Sequence, residues 1–481
     1  MFSKKKKYYI TTSIAYTNAV PHIGYALELI QADVIARFHR QLGEPVFFLT
    51  GTDEHGQKIV KAAQELGKET IDFTDQISAK FQELTKVLNL TNNDFIRTSD
   101  QKRHWPAVNM VWQKLKEKGK IYKKKYRGLY CLGCEAFIKE KDLVKGLCPV
   151  HKRRPELIEE ENYFFKLSNY TQAVENLIKE EKIKIIPETR KNEMLSFVKQ
   201  GLEDLSFSRP REKLKWGIPV PDDPSQTIYV WADALTNYIS AIGYADDEKK
   251  FKGLWPADVH VIGKDIQKFH CIIWPAMLLA LELELPKIVF VHGFITVKGQ
   301  KMSKSLKNIV DPFALVKKYG AEVVRYFLLR EIPASEDGDF SYQKLEQRYN
   351  ADLAKGLGNL VSRVVALAEK NKADYSLKDS IKDPGLKREL RGCSEEWENS
   401  LMSFNFNQAL ISIWKLISAC DRYIEQQKPW VVNARQKATI NNLLIVLNAI
   451  AGFLVPLLPE TSEKMLLQLK NKETYPLFPK I

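Results

Sequence analysis

The chain has 481 residues, 44% hydrophobic and 27% charged, the composition of a globular protein with room for several domains and a large core. A formal net charge of +14 points to an anionic partner, nucleic acid first, although solvated lysine faces give the same balance. Six cysteines over this length exclude a disulfide scaffold, and no uninterrupted apolar run reaches membrane-spanning length; residues 443–458 come closest, interrupted by Asn448, Gly452 and Pro456. Met1 to Lys7 is basic without an apolar h-region, so no secretory signal is read there and a cytoplasmic protein is expected.

Tyr8 to Tyr16 is rich in β-branched and aromatic residues and reads as a strand. A turn, Thr17 to Pro21, leads through His22-Ile23-Gly24-Tyr25 into a helix whose Ile30, Val34, Phe38 and Leu42 recur every fourth position. A strand feeding a helix leaves free N–H groups and the positive end of a helix dipole at the strand's carboxyl end, which favours an anion. His22 can donate to phosphate or ribose oxygens there, and Gly24 lets a large ligand approach the backbone; a purely structural turn fits the same residues.

Pro45 to Thr50 reads as a buried strand ending in Gly51-Thr52-Asp53-Glu54-His55-Gly56, with a helix from Gln57. This alternation predicts a parallel doubly wound sheet. Asp53, at a strand's carboxyl end, either accepts from a substrate ammonium group or caps the next helix. The glycine fingerprint for dinucleotides and the P-loop are both absent, so a nucleotide would bind by other means.

From Lys118 to about Gln226 the chain reads as an insertion. Cys131, Cys134, Cys148 and His151 form two knuckles with a spacing that suits a closed tetrahedral Zn2+ site, the alternative being buried thiols. Tyr163-Phe164-Phe165 is strand-like, and Pro210, Pro219, Pro221 and Pro224 mark the exit. The sheet is then expected to resume with strands at 227–230, 259–262 and 288–291. Trp231, Tyr238 and His270 either line one pocket or belong to the core.

Lys301 and Lys304, three apart among Gly299, Ser303 and Ser305, make a cationic clasp able to neutralise a triphosphate as its α-phosphorus bond breaks. From Tyr342 onward the pattern is helical and predicts a bundle. Asn359 and Arg363 share one exposed helix face, and Trp430, on residues alone, reads as a buried core anchor.

Pro21-His22-Ile23-Gly24 together with Lys301-Met302-Ser303-Lys304-Ser305 resembles the signature pair of class I aminoacyl-tRNA synthetases. In detail the chain resembles the methionyl-tRNA synthetase family over essentially its whole length. Residues 51–56, the Cys131 to His151 knuckles, Trp216-Gly217-Ile218-Pro219, residues 229–234 and Ile262-Gly263-Lys264-Asp265 carry this likeness, and the single-zinc insert with a final His looks like one bacterial branch.

The resemblance implies an α/β protein: a Rossmann-like parallel sheet split by a zinc-binding insertion, then an all-α bundle. The expected segments are 1–117 and 227–295 for the catalytic halves, 118–226 for the insertion, 296–345 for a lysine-loop connector and 346–481 for an anticodon-binding domain. Methionine would lie among Ile14, Tyr16, Trp231, Ala234, Tyr238, Ile266 and His270, with Asp53 on its ammonium group. ATP with Mg2+ would lie along His22, Gly24, Gly263 and Asp265 under Lys301 and Lys304. Asn359, Arg363 and Trp430 would meet the anticodon of tRNA(Met), initiator included, by base edges and stacking. The expected enzyme is a monomeric methionine–tRNA ligase with one structural Zn2+. Its rivals are another class I synthetase for an apolar amino acid and a non-catalytic tRNA-binding relative.

Two residues depart from the family pattern. Tyr25 stands where a second His is usual, which implies a slower activation step or compensation by the lysine loop. Lys307 replaces the usual Gly after that loop and would stiffen its hinge.

Overall fold

The computed structural model describes residues 7–479 apart from 134, 135, 139, 150, 151, 303–305, 307, 372–374 and 378. Its principal sheet has seven strands: β1 (Tyr8–Thr12), β2 (Ala15–Tyr16), β3 (Val46–Asp53), β4 (Asp94–Arg97), β5 (Lys184–Ile186), β6 (Val259–Gly263) and β7 (Ile288–His292). They run in the order β2-β3-β1-β6-β7-β5, with β4 also on β3, and β3 with β1, β2 and β4, β1 with β6, and β7 with β5 pair in parallel. Tyr9, Ile10, Thr11 and Thr12 are all fully buried, as a parallel strand covered on both faces requires. Gly51 is needed where β4 closes on β3, since a Cβ there would come within 2.1 Å of the Ile96 carbonyl oxygen.

The first predicted strand is two. Tyr8 to Thr11 oppose Val46 to Leu49, but Ala15 and Tyr16 oppose Thr52 and Asp53. Four residue steps from Thr11 to Ala15 thus face three from Leu49 to Thr52, so one residue is extra. A bulge of this kind bends the strand and redirects the side chains beyond it.

The insertion is built on a long antiparallel pair, Ile121–Cys131 against Glu156–Phe165, with Lys125 opposite Glu161 and Arg127 opposite Glu159. It also lends a strand to the main sheet: Lys184 to Ile186 pair with Ile288 to Phe290. Residues 227–230 are not the sheet strand expected. The strand Asp223–Ile228 instead pairs antiparallel with Ser208–Pro210 and Pro219–Val220, and a helix starts at Val230. Asp223, Pro224 and Ser225 open that strand in contact with solvent, and a proline with two polar neighbours cannot fill a doubly covered parallel position.

Two compact units emerge: residues 1–21, 45–86 and 92–291, and residues 22–44, 87–91 and 292–481. Helix α1 (Ile23–Gln41) belongs to the second. Within that unit the fully buried Arg325 reaches Asp33 of α1 at 2.9 Å and donates to the carbonyls of Leu88, Pro456 and Leu457. The helices Asn359–Asn371, Pro384–Met402, Phe406–Gln427, Gln436–Leu454 and Pro459–Asn471 complete it. Gln436–Leu454 is, among the described residues, long and apolar enough to span a membrane (mean hydropathy 1.4), beyond what the interrupted run suggested. Its apolarity is that of a bundle's inner helix: Ile440, Leu443, Leu447 and Ile450 are fully buried.

Candidate active site

In the first unit the bulge after β1 places Tyr16 opposite Asp53, and Thr17 donates from both N (3.0 Å) and Oγ1 (3.1 Å) to the Asp53 carbonyl. The Asp53 carboxylate is buried, with the His55 N–H 3.4 Å from Oδ1. Ile14, Tyr16, Trp231 and Ile266 pack on the core but stay partly buried, so apolar surface remains at its edge.

β6 ends at the buried Gly263, and the turn Lys264–Ile266 that follows carries the exposed Asp265. The next turn of chain buries His270, and burial pushes its pKa down to about 4. The Ile266 carbonyl, 3.0 Å from Nδ1, can only accept, so Nδ1 carries the proton and Nε2 accepts from the Tyr238 hydroxyl at 2.7 Å. Tyr238 is held in turn by Tyr9, whose hydroxyl donates to its carbonyl at 2.7 Å. Trp231 stacks on Phe269 with ring centres 3.6 Å apart and meets His270 edge-on at 6.4 Å. Ala234 is buried on the same helix as Trp231. The product is an apolar, aromatic cluster around a neutral imidazole, the kind of surface that takes an unbranched apolar side chain.

Several residues of this region had no assigned role. Phe269 stacks on Trp231. His260 lies behind Tyr238, its Nδ1 2.7 Å from Thr11 Oγ1, and burial drives its pKa well below the usual histidine value. Asp233 bridges His55 and His104 at 2.6 and 2.7 Å. His55 and Asp233 fell inside quoted motifs, whereas His104 carries no local signal.

In the second unit His22 is exposed and caps α1. The Gly24 N–H donates to its Nδ1 at 3.1 Å, which leaves the proton on Nε2, the nitrogen suited to donate to phosphate. This cap requires glycine: a Cβ on Gly24 would come within 2.9 Å of the His22 ring and 3.6 Å of Met302 Cε. The lysine-loop methionine therefore lies against the N-terminus of α1, and the Ile23 N–H donates to the Val310 carbonyl just beyond the loop. Tyr25 is half-buried, its N–H donating to the His22 carbonyl. Lys301 is exposed with Nζ 4.4 Å from the centre of the Phe294 ring; Lys304 and Lys307 lie outside the described residues.

Of the four expected metal ligands, Cys131 and Cys148 are buried, while Cys134 and His151 lie outside the described residues. Cys131 ends the long strand Ile121–Cys131. Cys148 opens a tight turn in which its N–H donates to the Arg153 carbonyl and Lys152 N–H donates to the Cys148 carbonyl. Buried thiols are the donor type that a soft cation such as Zn2+ takes, but among the described residues no group of three or more candidate ligands gathers.

Asn359 and Arg363 do share an exposed face. Arg363 is paired there with Glu425 (2.9 Å) and Asp421 (3.7 Å) of the helix Phe406–Gln427. Trp430 is no core anchor: it is 50% exposed, because Lys428 ends that helix in a left-handed conformation and turns the chain outward before it.

The family described as tRNA synthetases class I (M) matches residues 8–154 and 150–365. A methionine–tRNA ligase of Thermotoga maritima is 44% identical over 97% of this chain and 76% of its own length. One of Brucella melitensis is 41% identical over 96% and 91%. The structure of Mycobacterium tuberculosis methionyl-tRNA synthetase in complex with methionyl-adenylate superposes with a TM-score of 0.92 at 37% identity, covering 98% of this chain and all of that one. Matched along nearly its whole length in sequence and in fold, the chain belongs to the class I methionyl-tRNA synthetase family.

Proposed function

We propose that this chain activates L-methionine with ATP to methionyl-adenylate and pyrophosphate, then transfers methionine to the 3′ end of tRNA(Met). The observation that carries this reading is the approach of Met302 to Gly24, where Met302 Cε lies 3.6 Å from the place a Cβ would take. It joins two signature segments nearly the whole catalytic region apart in sequence, one presenting an imidazole N–H and a helix N-terminus, the other lysines.

In the first step a methionine carboxylate oxygen attacks the α-phosphorus while the bond to the bridging oxygen breaks and pyrophosphate leaves. In the second, the terminal adenosine hydroxyl attacks the acyl carbon and AMP departs. Neither step needs a protein nucleophile, so the work is positioning and charge stabilisation. His22 Nε2–H and the N-terminus of α1 serve the phosphates, with Lys301 and Lys304 countering charge on the leaving pyrophosphate. Gly263 and Asp265 serve the adenosine. Asp53 accepts from the methionine ammonium, and Trp231, Tyr238 and the neutral His270 face its thioether without placing a charge beside it. Mg2+ accompanies ATP and shields its phosphates.

Zn2+ on Cys131, Cys134, Cys148 and His151 would cross-link two turns of the insertion, with no open position for substrate. Metal analysis should find one zinc per chain. A cytoplasmic monomer that takes both initiator and elongator tRNA(Met), reading the anticodon with Asn359, Arg363 and Trp430, completes the reading.

ATP–pyrophosphate exchange screened across the apolar amino acids tests the activity. Methionine should support exchange far above the rest. Exchange with a different amino acid would reassign the substrate within the class, and tRNA binding with no exchange would mark a non-catalytic relative.

A further inference from the structure

The turn Asp53 to Gly56 is clamped at every residue. Thr17 donates to the Asp53 carbonyl; Arg97 grips the Glu54 carboxylate at 2.7 and 2.8 Å; the Gly56 N–H donates to the Trp216 carbonyl at 3.3 Å. The clamp on His55 differs from the others in where it leads. Its Nδ1 lies 2.6 Å from Oδ2 of Asp233, on the helix Val230–Leu235 that carries Trp231 and Ala234. Asp233 Oδ1 lies 2.7 Å from His104 Nε2, and His104 Nδ1 lies 2.8 Å from the Ser240 hydroxyl, two residues beyond Tyr238. Asp233, His55 and His104 are 0–2% exposed. One hydrogen-bonded chain therefore runs through the acidic turn, the Trp231 helix and the Tyr238 helix.

Each ring can offer one N–H to the carboxylate, and the carboxylate has an oxygen for each. Burial would raise the pKa of Asp233, but the adjoining imidazoles outweigh it and hold the acid below the usual carboxylate range. The pair of bonds fixes His55 by its ring. Its backbone N–H then stays 3.4 Å from Asp53 Oδ1. Truncating Asp233 would leave two buried N–H groups without an acceptor and free the turn that carries Asp53.

We propose that Asp233, bonded to His55 and His104, is a positioning residue for methionine: it locks the Asp53 turn to the helices bearing Trp231 and Tyr238. The inference rests on the methionine-ligase reading and assigns roles to three residues outside the substrate-contact set. The nucleotide-binding residues His22 and Gly24 take no part in the chain, so its loss acts on methionine selectively.

The test is steady-state exchange with the full chain, titrating methionine and ATP separately. In Asp233→Ala the KM for methionine should rise about tenfold or more while that for ATP stays within about twofold. Should that variant not fold, two substitutions at His104 decide. His104→Leu should raise the methionine KM, and His104→Gln, whose amide can still donate to Asp233, should restore it; ATP should be unaffected in both. Methionine and ATP constants rising together, or an unchanged methionine KM in folded Asp233→Ala or His104→Leu, would overturn the proposal and leave the ligase reading standing. No methionine-dependent exchange by the unaltered chain would overturn both.

Discussion

At His270, burial decides charge. An imidazole whose pKa is held near 4 is neutral at physiological pH and, in the proposed site, would meet the substrate thioether as a dipole. The folded pKa lies below the ordinary histidine value of about 6.5, so between these limits the unfolded chain binds a proton that the folded chain refuses. Stability is therefore unaffected above about pH 6.5 and falls as pH drops from there to 4, by an amount on the order of 3 kcal/mol. Urea titrations across that range should show the loss, and His270→Gln should reduce it, with His260, also held neutral by burial, contributing the remainder. NMR of the His270 ring should find no titration between pH 5 and 8, and a midpoint near 6.5 would contradict the assignment. Tyr25 raises a different question of charge. A phenol donates one hydrogen bond but carries no positive charge at neutral pH. Tyr25→His should speed adenylate formation in a rapid-quench assay; an unchanged or slower rate would show that nothing is lost at this position.

Helix α1 owes its pose to what grips its middle as well as to the cap at His22. Burial alone would raise the pKa of Asp33, yet the Arg325 and Arg37 guanidiniums and the Thr91 hydroxyl hold it below the carboxylate norm. Such an acid stabilises the fold above its unfolded pKa of about 3.9 and loses that contribution as pH falls through the lower folded value. Arg325 ties this helix to the corner before Pro459–Asn471, since it also donates to the Pro456 and Leu457 carbonyls. Removing one partner of a buried pair strands the other. Arg325→Met should cost about 3–5 kcal/mol in equilibrium unfolding, and the double variant Asp33→Leu/Arg325→Met should recover most of it. If the double variant is no more stable than the single one, the carbonyl bonds of Arg325 matter more than its ion pair.

Across the whole molecule, alternation of strand and helix was legible where a parallel strand is largely apolar, as in β3 and β7. Partners across the fold were not. Asp233 meets His55 and His104 from 178 and 129 residues away, and no periodicity encodes which buried acid meets which imidazole. The same holds for β5, three residues whose place is set by β7, and for Asp223–Ile228, whose apolar end resembles a sheet strand until its proline is weighed. Net charge is legible without any fold, and it makes its own prediction. A protein of charge +14 that binds tRNA releases counterions from the phosphates, so its affinity falls steeply with salt. In the proposed site methionine meets the buried Asp53 and apolar side chains, which salt screens far less. Raising KCl from about 50 to 200 mM should weaken the KM for tRNA by at least about tenfold. Methionine-dependent exchange should change little over the same range. If charging and exchange instead decline in parallel, the excess charge serves the fold or the ATP site, and tRNA is gripped by contacts that release few ions.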